Sequence, residues 1–185
     1  MGDAHPMATP MAAKLKLEKL SSPTVNTQLY QSMLGSVMYT MTGTQPDLTF
    51  AMGYLSQHAA TPSNEHLAAL KQVYCYLLKT KDVSLTFDGT KSNVLQGFTD
   101  LDWAGDPTDQ RSITRILWIL CGEPVSWSSW KQSTVMLSST EAEYIMITQG
   151  TRNALWFHHL LGNLDYPMAK PTVIWVDNQL AIAIM

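Results

Sequence analysis

The chain has 185 residues, 45% of them hydrophobic and 15% charged, with a net charge of −3. That is long enough for one or two domains with cores of their own and is globular in character. The lack of a basic excess argues against a strong sequence-independent grip on nucleic acid. No apolar run approaches the ~20 residues of a membrane span, and the polar N-terminus lacks a signal-peptide pattern, so an intracellular soluble protein without a membrane partner is expected.

Residues 1–26 carry Pro6, Pro10 and Pro23 with little periodicity and read as a linker or peripheral strap. From Gln28 to Met41, the residues Leu29, Met33, Leu34, Val37, Met38 and Met41 form a helical stripe that Gly43 ends. Thr44-Gln45-Pro46-Asp47 restarts a helix, with a capping hydroxyl and a proline near the first turn, running to about His58. Thr61-Pro62-Ser63-Asn64 opens a third helix, whose Leu67, Leu70, Val73, Tyr74, Leu77 and Leu78 fall at three- and four-residue steps. The texture changes at residues 85–89. Strands are expected at about 94–99, 113–120, and 124–127 or 133–137. A long helix over about 139–161, a strand at 172–176 and a helix starting at Asn178 follow.

The two halves differ in charge. Residues 1–90 balance six Lys against six acids, whereas residues 91–185 set six Lys plus Arg against nine acids. All six tryptophans lie beyond residue 100. Strand alternation would put Trp127 among core neighbours rather than on a base-stacking platform. Cys75 and Cys121 lack CxxC spacing, so buried free thiols are the reading. His158 and His159 are adjacent, diverge by about 100° on a helix, and do not chelate one ion.

Three acids stand out. Asp100 closes the apolar run Val94-Leu95-Gln96-Gly97-Phe98. Glu141 lies at the opening of the long helix, in Ser138-Ser139-Thr140-Glu141-Ala142-Glu143-Tyr144. Asp177 closes the second apolar run, Thr172-Val173-Ile174-Trp175-Val176. Two carboxylates at strand ends and one in a helix's first turn can converge on one edge of a sheet and form an all-oxygen site, which magnesium prefers. Two such ions roughly 4 Å apart can cleave a phosphodiester. Each acid also has a structural reading: Asp100 as a turn residue, Glu141 as part of a capping box with Ser138, Asp177 as a helix cap. Asp102 reads as a loop acid near enough to serve as an outer partner, and Glu143 points elsewhere on the helix than Glu141.

With these residues assembled, the chain resembles the C-terminal part of a copia-type retrotransposon Pol polyprotein. The resemblance runs in family order through residues 30–39, 44–48 and 65–71. It continues through Thr99-Asp100-Leu101-Asp102-Trp103-Ala104-Gly105-Asp106, residues 125–129 and 137–144, and Val176-Asp177-Asn178-Gln179. It implies an α+β protein in which residues 1–90 are the helical thumb or connection end of a reverse transcriptase. Residues 91–185 would be a C-terminally incomplete ribonuclease H-like domain, a mixed sheet with packed helices. In the family, the acids matching Asp100, Glu141 and Asp177 hold two magnesium ions that hydrolyse the RNA strand of an RNA–DNA hybrid. The hybrid and other parts of the Pol polyprotein are the expected partners, and a virus-like particle in the cytoplasm or the nucleus is the expected location. The paired-aspartate signature of the polymerase palm is absent. Gln45, Gln57 and Cys75 stand where the family has Arg, Arg115 where Gly is typical, and Trp130 where Lys is typical. A weak or inactive nuclease is therefore expected, with a non-catalytic binding remnant as the alternative.

Overall fold

Two compact units divide the chain, Met1–Ser84 and Leu85–Met185. The computed structural model describes residues 4–12, 15–18, 22–87, 90–91, 93–105 and 109–177. The architecture is α+β, with a four-stranded mixed sheet and four α-helices among the described residues.

In the first unit α1 spans Thr27–Gly43, its N-terminus capped by Asn26, whose Oδ1 accepts the Leu29 N–H at 3.0 Å. The buried stripe is Tyr30, Leu34 and Val37, while Leu29 and Met38 face solvent. The expected apolar stripe was too wide, because Leu29 and Met38 lie off the line that runs from Tyr30 through Leu34. The expected second helix is broken into a 3-10 turn, Pro46–Leu48, followed by α2 at Thr49–Ser56. Thr44 belongs to the end of α1: its N–H and hydroxyl both bond the Thr40 carbonyl. Helix α3 spans Asn64–Thr80 and opens with a capping box in which His66 takes the usual Glu/Gln place. The Ser63 N–H donates to His66 Nδ1 at 2.8 Å, and the His66 N–H donates to Ser63 Oγ at 3.2 Å. Leu48, Ala51, Met52, Leu55, Ala69, Leu70 and Val73 complete the core with the α1 stripe and Leu17. The N-terminal segment is a strap as read: Met7 N–H bonds Cys75 O at 3.2 Å, and Gln72 Nε2 bonds Thr9 O at 3.3 Å.

In the second unit β1 (Leu95–Asp102), β2 (Ile113–Leu120) and β3 (Glu123–Lys131) form an antiparallel meander. The β2–β3 turn is Cys121-Gly122, both at positive φ (52° and 78°), as a two-residue primed turn requires. Of the two alternatives for the third strand, 124–127 lies in β3 and 133–137 is not a strand. Helix α4 (Ser139–Asn163) then crosses to β4 (Val173–Trp175), which lies parallel to β1, for a strand order β3-β2-β1-β4. The expected helix from Asn178 lies outside the described residues.

Alternation divides β1 cleanly. Leu95, Gly97 and Thr99 are buried, and Phe98 and Asp100 are exposed. The buried face packs with Ile116 and Trp118 against Ala154 and Phe157 of α4. Gly97 is bare because the Trp118 ring lies on it: an added Cβ would sit 2.7 Å from Cζ3. Gly150 of α4 lies over Thr99, where an added Cβ would fall 3.5 Å from Cγ2, an ordinary contact. Among the described residues no helix packs on the other face. Phe98 and Trp175 stack there, with centroids 6.5 Å apart, and remain exposed. Trp127 sits opposite Leu117 and is only half-buried. The core place expected for Trp127 is taken by Trp118 and, in part, Trp130.

Candidate functional site

The three acid-bearing segments meet, at the level of the backbone, at one end of the sheet. β1 and β4 run parallel with Phe98 opposite Trp175. Two residues further along each chain come Asp100, in β1, and Asp177, just beyond β4. The start of α4 is tied to the same end. Gln132 Nε2 donates to Thr114 Oγ1 at 3.0 Å and to the Ala142 carbonyl at 3.2 Å, and Thr114 is the cross-strand partner of Leu101. Met146 and Ile147 pack on Leu101 and Val176.

The side chains are arranged differently from the expectation. Asp100 lies inside β1 rather than closing it, and points to the face away from α4. Its direct cross-strand partner is Arg115 of β2. Arg115 Nη1 donates to Asp100 Oδ2 at 2.6 Å and Nη2 to Asp102 Oδ2 at 3.3 Å. One guanidinium thus bridges two carboxylates that share a strand face, a geometry that suits its planar fork of donors.

Glu141 is the third residue of α4 and is exposed. Its N–H donates to Ser138 Oγ at 3.1 Å, which is one half of the capping arrangement anticipated for it. Its charge in the first turn complements the positive end of the helix. Glu143 is the acid that faces the sheet. It is buried on the stripe Glu143, Met146, Ile147, Gly150, Ala154, Phe157 and Leu161, with Oε2 out of solvent. The signal was present in the sequence, because Glu143 falls in phase with that stripe at three- and four-residue steps and Glu141 does not. Asp177 is exposed just beyond β4. Asp109 pairs with Lys131 at 3.0 Å and with Arg111 at 3.6 Å, a surface role. His158 Nε2 bonds Thr172 Oγ1 at 2.8 Å, pinning the end of α4 to the segment before β4.

The chain is 38% identical over 189 aligned positions to the Retrovirus-related Pol polyprotein from transposon TNT 1-94 of Nicotiana tabacum, covering 98% of this chain and 14% of that one. It is equally 38% identical over 180 positions to the transposon RE2 Pol polyprotein of Arabidopsis thaliana, covering 95% of this chain and 12% of that one. The chain belongs to the copia-type retrotransposon Pol polyprotein family. It spans only about one-seventh of the length of these Pol relatives. The Secreted RxLR effector protein 161 of Plasmopara viticola is also similar, 46% identical over 127 residues, which make up 69% of this chain and 89% of that protein. No protein-family model and no solved structure matches the chain.

The donor set of this Pol segment tests the implied magnesium. That ion demands near-octahedral oxygen geometry, and a two-ion centre needs several carboxylates free to share. Here Asp100 and Asp102 are engaged by Arg115, and Glu143 approaches from the other face. Among the described residues no group of three or more His, Cys, Asp or Glu could hold a metal ion. As arranged, these donors do not fit a two-magnesium centre.

Proposed function

We propose that this Pol segment comprises the helical end of a reverse transcriptase, residues 1–90, and a ribonuclease H-like domain, residues 91–185. The activity of that lineage is hydrolysis of the RNA strand in RNA–DNA hybrids, with the hybrid told apart by its shape and its 2′-hydroxyls. The observation that carries this reading is the β1–α4–β4 arrangement, which brings the segments of Asp100, Glu141 and Asp177 to one end of a mixed sheet. Glu143 is buried near that end of α4, on the covered face of the sheet rather than the face of the Asp100 carboxylate. The ligand set we propose is Asp100, Glu141 and Asp177, with magnesium as the cofactor of the family chemistry, in an arrangement that requires Arg115 to release Asp100.

The chain by itself is expected to cleave weakly or not at all. A labelled RNA–DNA hybrid incubated with magnesium tests this: cleavage should be near background, and whatever remains should vanish in Asp100→Asn. Fast turnover that is lost in Asp100→Asn would overturn the expectation of weakness. Cleavage that survives Asp100→Asn would sink the site assignment.

The engagement of Asp100 by Arg115 favours a second reading, a non-catalytic module that binds hybrid or protein. It requires hybrid binding or capture of a protein partner that needs no magnesium and persists in Asp100→Asn. If gel-shift and pull-down measurements show neither, this reading fails.

A further inference from the structure

We propose that Arg115 is an internal counter-cation: its guanidinium occupies the carboxylates of Asp100 and Asp102 and competes with divalent metal for them. The inference rests on the reading above that this end of the sheet descends from a metal-dependent hydrolase.

The placement is structural and does not depend on a flexible surface arm. Arg115 is the register partner of Asp100 in the antiparallel β1–β2 pair, so its side chain emerges beside that carboxylate. Asp102, two residues on, shares the same strand face, and the two guanidinium nitrogens reach one carboxylate each, at 2.6 and 3.3 Å. The opposition to metal is simple electrostatics. Magnesium binds carboxylate oxygen at about 2.1 Å, so an ion on Asp100 Oδ2 would lie within about 5 Å of Arg115 Nη1, given the 2.6 Å contact. A dication so close to a fixed monocation is repelled.

The local charge count points the same way. Two carboxylates and one guanidinium leave one net negative charge, and replacing Arg115 with a neutral side chain leaves two. The groups are partly solvated, with side chains 33% exposed for Arg115 and 56% for Asp100. Water and salt therefore screen the pair, and the competition is an equilibrium that a substitution can shift.

The test uses the full chain and its Arg115→Gln, Arg115→Thr and Arg115→Lys variants. Binding of manganese is followed by electron paramagnetic resonance, and binding of magnesium by shifts of the β1 and β2 amide resonances. Arg115→Gln and Arg115→Thr should bind manganese about tenfold more tightly than wild type or more, whereas Arg115→Lys, which keeps the charge, should stay within about twofold. Those factors are order-of-magnitude estimates for one charge at this separation. Adding Asp100→Asn to Arg115→Gln should abolish the gain. Threonine is well suited to a strand, so at least one neutral variant keeps the fold, as amide spectra will show. Equal affinity in wild type and both neutral variants overturns the proposal. So does a gain that survives Asp100→Asn, or an equal gain in Arg115→Lys. Hybrid cleavage separates this inference from the reading beneath it. Tighter metal binding by the neutral variants supports the counter-cation whether or not cleavage appears, and cleavage that survives Asp100→Asn removes the site assignment beneath it. Cleavage by wild type at the same metal requirement as Arg115→Gln removes the counter-cation and leaves that reading standing.

Discussion

The helical unit and the sheet unit bury their surfaces in opposite ways. The helices α1–α3 enclose one cluster from several sides, and even its polar members are inside. Tyr30 is fully buried and donates to the Leu55 carbonyl at 3.0 Å, and burial pushes its pKa up to about 12. His58 and His66 stack at 4.0 Å within the same interior. Among the described residues, α4 covers one face of the sheet. On its other face aromatic rings and the Asp100–Arg115–Asp102 group meet solvent. Charge and open apolar surface thus lie together in the unit with incomplete cover, where chemistry or a partner has access, while the helical unit holds none of the acids of interest.

The largest test of that contrast is Trp118→Ala. Trp118 is 1% exposed, rests on Gly97 and packs tilted against Phe157. Its ring is held in the layer between the sheet and α4, beside Leu95, Ile116 and Ala154. The loss should be about 3–5 kcal/mol, typical of emptying an aromatic core site. Urea unfolding followed by the remaining tryptophans, all in residues 85–185, reads this unit; a loss under about 1 kcal/mol would show that the covered face is not its core.

Gly97→Ala approaches the same contact from the other side. The added methyl would meet a buried, rigid ring 2.7 Å away, so either β1 or Trp118 must shift. A cost of about 1–3 kcal/mol is expected for such overpacking, again read by urea unfolding. An unchanged midpoint would mean that the ring is not fixed there.

The helical unit should respond to protons instead. Burial lowers the His66 pKa from its ordinary 6.5, against the opposing pull of the Glu65 charge and a hydrogen bond to the Glu18 backbone. A depressed folded pKa means that the unfolded chain takes up the proton first. The stabilisation is therefore complete above about pH 6.5 and is lost as pH falls from there toward the folded pKa. The urea midpoint of α1–α3, followed through their amide resonances, should drop between pH 7.5 and 5.5. His66→Gln keeps an acceptor at the third helical position and should flatten that profile. A midpoint that holds steady or rises on acidification contradicts the assignment.

What could be read from residues alone follows from which signals are local. Helix α3 was legible because its cap, Ser63, and its apolar stripe both lie within one segment, and β2 because its apolar run fills residues 113–120 with no breaker. The split after Pro46 was hidden, since a proline there suits the first turn of an α-helix as well as a 3-10 turn. The buried phase of α1 was blurred by apolar residues on more than one side. At the candidate site, position in the opening turn of the long helix drew attention to Glu141, although stripe phase singles out Glu143. The pairing of Asp100 with Arg115 was not legible at all. Ten residues, 103–112, separate β1 from β2, and unlike the two-residue β2–β3 turn, a connection of that length does not set register.

Gly150→Ala carries the smallest expected effect and separates two explanations of one glycine. If α4 needs a bare Cα to approach the sheet, a methyl should push the helix away and cost stability. The geometry says otherwise: the nearest atoms would be Thr99 Cγ2 at 3.5 Å and Ile174 Cδ1 at 3.8 Å, both ordinary contacts. In mid-helix, alanine is favoured over glycine by roughly 0.8–1 kcal/mol, and here the methyl would also fill space beside a buried strand. Gly150→Ala should therefore leave the sheet unit unchanged or raise its stability by up to about 1 kcal/mol, seen as a higher urea midpoint in tryptophan fluorescence. Gly97 would then be the position in this layer where packing demands glycine, and Gly150 one where it is merely allowed. A clear loss at Gly150 would place α4 closer to β1 than these distances describe.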